Sequence, residues 1–171
     1  VETDDAGVNE MNTTDNESLL WQVTQFIWHE AAILDAKEYD AWLDLWQPEG
    51  LYIIPIEDAD DYAAVLNLCY DDDKMRRDRI KRFQDGFSIS SAPPAVTVRT
   101  LSRFVIDAVD GNTVVVSCAE HLVEDKFGRQ RIWAANVRYT LTSSDTGFRL
   151  QEKVVRLLNA DGVLNSFSYL F

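Results

Sequence analysis

Ile132-Trp133-Ala134-Ala135-Asn136-Val137-Arg138-Tyr139-Thr140-Leu141 is the stretch that decides the fold. Trp133, Ala135, Val137, Tyr139 and Leu141 form one apolar series, and the positions between them are mixed. Successive side chains of a strand point to opposite faces, so this is a strand with one face on a core. Working outward, the runs 96–109, 113–124, 130–142 and 147–158 have similar character. They are separated by Asp110-Gly111-Asn112, Phe127-Gly128 and Asp145-Thr146-Gly147. Turn residues at this spacing predict antiparallel hairpins.

The first half reads differently. Leu19, Leu20, Val23, Phe26, Ile27, Glu30 and Leu34 fall on one stripe of a helix opening at Ser18, and Glu30 is the stripe's only charged member. Trp21, Trp28 and Ala32 lie on roughly the opposite side, a second surface that must be wrapped by a sheet or covered by another molecule. A short helix follows from Glu38 to Trp46, ended by Pro48, and Leu51–Ile56 reads as a buried strand. Residues 57–73 contain seven acidic side chains and no basic one, whereas residues 74–82 contain six basic ones. Asp71, Asp72 and Asp73 before that basic cluster complement a helix dipole, and Asp85-Gly86 ends the segment. Pro93-Pro94 marks the crossover. Helices first and a long meander afterwards predict an α+β domain over residues 18–171, its curved, mainly antiparallel sheet packed around the N-terminal helices. Residues 1–17 carry six acidic and no basic side chains and read as a mobile tail.

Sixteen basic against 29 acidic residues give a net charge of -13. That field disfavours a nucleic-acid binder, which needs basic charge to track phosphates. No apolar run approaches the roughly 20 residues of a membrane helix, and the acidic start does not resemble a secretory leader, so a cytoplasmic protein is expected. Cys69 and Cys118 are too few for a disulfide framework. Cys118 and His121 lack a second Cys/His pair and lie at odd separation on a strand, so no metal site is expected in this chain. Glycine-rich phosphate loops and nucleophile elbows are absent. For acid–base chemistry the candidates are His29, Asp35, Tyr39 and His121. Glu30 is expected to pair with a basic side chain, Arg79, Arg82 or Arg99. The aromatic end of the chain, including Tyr169 and Phe171, is expected to dock in its own core or on a neighbour.

Phe26-Ile27-Trp28-His29-Glu30-Ala31-Ala32-Ile33-Leu34-Asp35 resembles the opening helix of the small (β) subunits of aromatic-ring-hydroxylating dioxygenases. Trp42-Leu43 with Tyr52-Ile53-Ile54-Pro55, Asp71-Asp72-Asp73 with Met75 and Arg79-Ile80-x-Arg82, then Pro93-Pro94 and Arg103, are similar to the segments that follow in that family. Lys153-Val154-Val155-Arg156-Leu157-Leu158, Leu164-Asn165 and Tyr169-Leu170 resemble its last strand and tail, with Lys153 where an arginine is usual. The resemblance spans about residues 19–171. It implies a cystatin-like, nuclear-transport-factor-like cone and a structural, non-catalytic role in oxidation of an aromatic compound. The Rieske iron–sulfur cluster and mononuclear iron would lie in a large (α) subunit. Three large and three small subunits, or a homotrimer of this chain, is the implied assembly, served indirectly by a ferredoxin or reductase. On this reading Trp21, Trp28, Arg76, Arg77, Arg79, Arg82, Tyr169 and Phe171 are candidates for subunit contacts. The alternatives are an isomerase or dehydratase of the same fold, using His29, Asp35, Tyr39 or His121, and a homo-oligomeric binding protein. An open polar cone would favour the isomerase; a cone filled by aromatic side chains favours the structural subunit.

Overall fold

The computed structural model describes residues 13–85, 94–158 and 169–171. Residues 1–12 of the expected tail, the stop at Gly86, Pro93 and the pair Leu164-Asn165 lie outside them.

Three helices, α1 (Thr13–Ala36), α2 (Tyr39–Asp44) and α3 (Asp73–Gln84), accompany six strands: β1 (Trp46–Pro55), β2 (Asn67–Asp71), β3 (Val96–Asp110), β4 (Thr113–Lys126), β5 (Arg129–Ser144) and β6 (Gly147–Leu157). The sheet order is β2-β1-β6-β5-β4-β3. All neighbours are antiparallel except β1 and β6, which run parallel. The α+β expectation and all four late strands therefore hold. At the β4–β5 hairpin, Phe127 and Gly128 both have positive φ, 56° and 69°, the backbone that matches the twist of the two strands.

The apolar stripe of α1 turns inward through Val23, Ile27, Ala31 and Leu34, and it meets the inward face of the sheet at Val116, Leu122, Val137, Tyr139 and Leu141. Asp72 caps α3 by accepting from Met75 N–H at 2.8 Å, while Lys81 and Arg82 occupy its last turn.

Several boundaries move. α1 begins at Thr13 rather than Ser18, which takes Asp15 and Glu17 into its first turns. Trp46 and Pro48, read as the end of the second helix, belong to β1. Pairing with β6 jumps from Trp46 to Leu51, so the missing N–H of Pro48 breaks no ladder there. A Cβ at Gly50 would come within 2.8 Å of Trp46 Cε3, so only glycine fits this irregular stretch. The Arg76 guanidinium pins it, donating to Gly50 O and, at 3.3 Å, to Asp71 O, and lying 4.3 Å from the Trp46 ring centroid. Within the acidic segment, β2 is a five-residue edge strand that the charge pattern hid. At the other edge, β3 shifts register between Ser102 and Val105 and again between Ile106 and Ala108, with Arg103 at a φ of 58°.

Candidate functional site

The interior of the fold is polar at its centre and closed. Glu30, on the inward stripe of α1, is fully buried and so is Lys153 of β6. Lys153 Nζ donates to the two Glu30 oxygens at 2.8 and 3.0 Å. Trp42 Nε1 donates to the same carboxylate at 2.9 Å and the Tyr139 hydroxyl at 3.0 Å, which satisfies it as a buried charge requires. Burial, reinforced by the Glu30 charge, pushes the Tyr139 hydroxyl well above its ordinary value, so it stays a donor. The partner of Glu30 is thus Lys153, not Arg79, Arg82 or Arg99. Arg79 is held 2.5 Å from Asp71, and Arg99 bonds Asp35. Lys153 shares its inward parity with Val155 and Leu157, a signal present in the sequence.

A second group surrounds Arg99. Its guanidinium donates to Asp35 and to Leu170 O, and Asp35 also accepts from Thr97 Oγ1 and from Arg99 N–H, each at 2.9 Å. Arg99 Nε lies 3.6 Å from Glu120, whose carboxylate oxygens are both buried without a hydrogen-bond partner. Burial pushes the Glu120 carboxyl up, against the opposing pull of Lys153 and Arg99. Glu120 was not singled out in the sequence, although it shares its parity with buried Val116, Cys118 and Leu122.

The acid–base candidates are dispersed. His29 and His121 are exposed, Asp35 is bound to Arg99 and Thr97, and Tyr39 packs on Phe83. Cys118 is buried on one face of β4 while His121 is exposed on the other. Among the described residues no group of three or more His, Cys, Asp or Glu is arranged to hold a metal ion.

Three of the residues expected at subunit contacts are buried within the chain. Tyr169 and Phe171 are core residues, and Arg76 faces Gly50 and Trp46 because the irregular start of β1 leaves carbonyls that need a donor. Arg79 is turned toward Asp71, and Arg77 toward Asp73 at 2.9 Å on the surface of α3. Arg82 is exposed. Trp21 and Trp28 stay 59% and 43% exposed although their rings meet edge to face at 6.0 Å and Trp28 also meets Phe104 of β3. The outward face of the sheet adds a feature that was not singled out. Val98, Val123 and Ile132 are adjacent across β3, β4 and β5, and Val98 and Ile132 are 59% and 66% exposed. Farther along the same strands a groove of about 320 Å³ runs between Tyr62, Arg103, Ser117, Asn136, Arg138 and Arg156.

Helices held by a curved sheet, with a filled centre and apolar groups left outside, define a cone of the cystatin-like class. The same class includes an NTF2-like protein with a cystatin-like fold from Novosphingobium aromaticivorans, which aligns at a TM-score of 0.60 and 15% identity over 94% of this chain and all of that one. The beta subunit of the benzoate 1,2-dioxygenase from Burkholderia mallei aligns at a TM-score of 0.73 and 21% identity, covering 94% of this chain and 98% of that one. In sequence, the benzoate 1,2-dioxygenase subunit beta of Acinetobacter baylyi is 23% identical over 144 residues, 81% of this chain and 85% of that protein. A profile of the family described as "Ring hydroxylating beta subunit" matches residues 29–162. The chain belongs to the family of ring-hydroxylating beta subunits.

Proposed function

We propose that this chain is the structural, non-catalytic small subunit of an aromatic-ring-hydroxylating dioxygenase and packs against an iron-bearing large subunit. The observation that carries the reading is the filled cone. Trp42, Tyr139, Lys153 and Phe171 occupy the place where an enzyme of this fold would keep an open cavity, each with almost no exposed surface. The alternative, a stand-alone isomerase or dehydratase of the same fold, needs a base and an acid facing a cavity, whereas Asp35 and Tyr39 are engaged in ion pairing and packing and His29 and His121 are exposed.

The Rieske cluster and mononuclear iron belong, on this proposal, to the large subunit, which supplies the oxidation chemistry. This chain's residues supply surface. The exposed aromatic pair Trp21 and Trp28 on α1, the ladder Val98–Val123–Ile132, and the outward arginines Arg77 and Arg82 are the proposed contact groups. Exposed apolar side chains that adjoin one another are characteristic of an interaction surface. A three-plus-three complex in the cytoplasm, fed by a ferredoxin or reductase, is the proposed setting. Among the described residues no helix is long and apolar enough to cross a membrane.

Affinity purification from the native cell, followed by mass, iron and visible-absorption analysis, tests the reading. A red-brown complex containing a larger iron–sulfur chain is expected. A colourless, iron-free homo-oligomer would overturn it.

A further inference from the structure

A buried chain segment ordinarily satisfies its peptide groups within a helix or a sheet. Residues 169–171 belong to neither, yet all three are buried. Side chains from three strands meet their peptide groups instead. The Tyr52 hydroxyl accepts from Phe171 N–H at 2.9 Å and donates to Phe171 O at 3.4 Å. Lys153 Nζ donates to the same oxygen at 2.8 Å, and Arg99 donates to Leu170 O. The Phe171 ring stands edge-on to Trp133, with centroids 6.2 Å apart and planes at 87°, and Trp133 Nε1 donates to the Tyr169 hydroxyl at 2.8 Å. An apolar enclosure with a few convergent polar groups is the make-up of a small-molecule site. Independently of this grip, Glu120 lies beside it with two buried oxygens that lack a hydrogen-bond partner, 3.6 Å from the same arginine.

We propose that the interior around Tyr52, Arg99, Trp133 and Lys153 is a ligand site that the chain occupies with its own residues 169–171, and that it takes a free arylalkyl carboxylate or amide once that segment is removed. 3-Phenylpropanoate has the carbon skeleton of a phenylalanine residue without its nitrogen. Its ring matches the contact with Trp133 and its carboxyl the donors Tyr52 and Lys153. In the intact chain the covalent tether gives the segment a high effective concentration, so a free compound does not displace it.

The test compares the full chain with a variant lacking residues 169–171, by thermal melting and calorimetric titration with 3-phenylpropanoate. The full chain is expected to show no shift. The shortened one should gain about 3–5 °C with the compound at roughly ten times its Kd. Tyr52→Phe in the shortened chain should weaken binding about fivefold. Propylbenzene, which has the ring without the carboxyl, should bind at least about tenfold more weakly. No shift in a folded shortened chain, an equal shift in both proteins, or equal binding of propylbenzene would each overturn the proposal. If the shortened chain does not fold, Phe171→Ala with toluene replaces it, since only the ring's space is then vacated. Stabilisation by toluene supports the site, and its absence overturns it.

Discussion

The two faces of the sheet contrast in a way that inverts the usual soluble protein. Inward, Lys153, Glu30, Arg99 and Glu120 are nearly inaccessible to water, whereas outward Val98 and Ile132 stand in it. The inner charges are tolerable because most are matched: Lys153 and Trp42 satisfy Glu30, and the Arg99 guanidinium donates to Asp35 and Leu170 O, while its Nε and the Glu120 oxygens face each other as an ion pair at 3.6 Å without a hydrogen bond. No comparable device covers the outer valines, which stay unprotected among the described residues. Charge at the centre is largely matched within the chain, whereas the aliphatic groups outside have no counterpart among the described residues.

That contrast can be broken most severely from the inside. Lys153→Met leaves Glu30 buried beside Trp42 and Tyr139 without a cation, and should cost about 3–5 kcal/mol in denaturant unfolding. Adding Glu30→Leu to it should recover most of that loss, since a packed apolar pair replaces a matched ionic one at little cost. Recovery of less than half would show that the carboxylate does more than balance the lysine. On the outside, Val98→Asp with Ile132→Asp should leave the unfolding free energy within about 0.5 kcal/mol. The same pair of changes should weaken association with the partner by about 2 kcal/mol or more, read by sedimentation or by loss of co-purification. Unchanged association would remove the ladder from the contact surface.

How much of this could be read beforehand varies with the range of the interactions involved. The alternation from Ile132 to Leu141 and the glycine-bearing turns are local, and they placed four strands to within two residues. The stripe of α1 was local too, and it singled out Glu30 as a buried carboxyl. Its partner was not found because Lys153 lies 123 residues away on a strand whose position depends on the curvature of the whole sheet. The same holds for Tyr169 and Phe171. Their aromatic character announced that they would be buried, but whether inside the chain or against a neighbour is decided by Tyr52, Arg99 and Lys153 acting together. Arg76 sits in a basic cluster that is uniform in sequence, and nothing local distinguishes it as the one member that serves the irregular carbonyls around Gly50. β2 was missed because five residues inside an acidic segment carry too little pattern.

Smaller effects sharpen the picture of the interior. Glu120 has a folded-state pKa raised by burial, so the native state holds its proton more tightly than the unfolded chain does. Below the ordinary glutamate value both states are protonated and the group is neutral in its effect. As pH rises from that value toward the raised one, the native state loses stability relative to the unfolded chain. Glu120→Gln should therefore stabilise the protein at neutral pH, with no gain near pH 4, when melting curves are compared across that range. A gain of equal size at both pH values would assign the effect to packing rather than to ionisation. The least conspicuous outcome concerns the thiols. Burial pushes Cys118 up to about 12 and Cys69 higher still, so native protein at pH 8 should resist iodoacetamide while unfolded protein reacts at both positions. Mass spectrometry of alkylated protein reads this directly.

The edges of the sheet have a bearing on how such a subunit lives in a crowd. A long, flat, open strand is a template on which another chain can add, and a neighbour held close at high local concentration would exploit it. Here one border is the five-residue β2, and the other is β3, bent by two register shifts with Arg103 in a left-handed backbone between them. The first is short, and in the second the shifts confine the regular row to Val96–Ser102. A short border on one side and a broken one on the other limit the length over which another strand could add to this sheet, so contact through its faces need not extend into a ribbon along its rims.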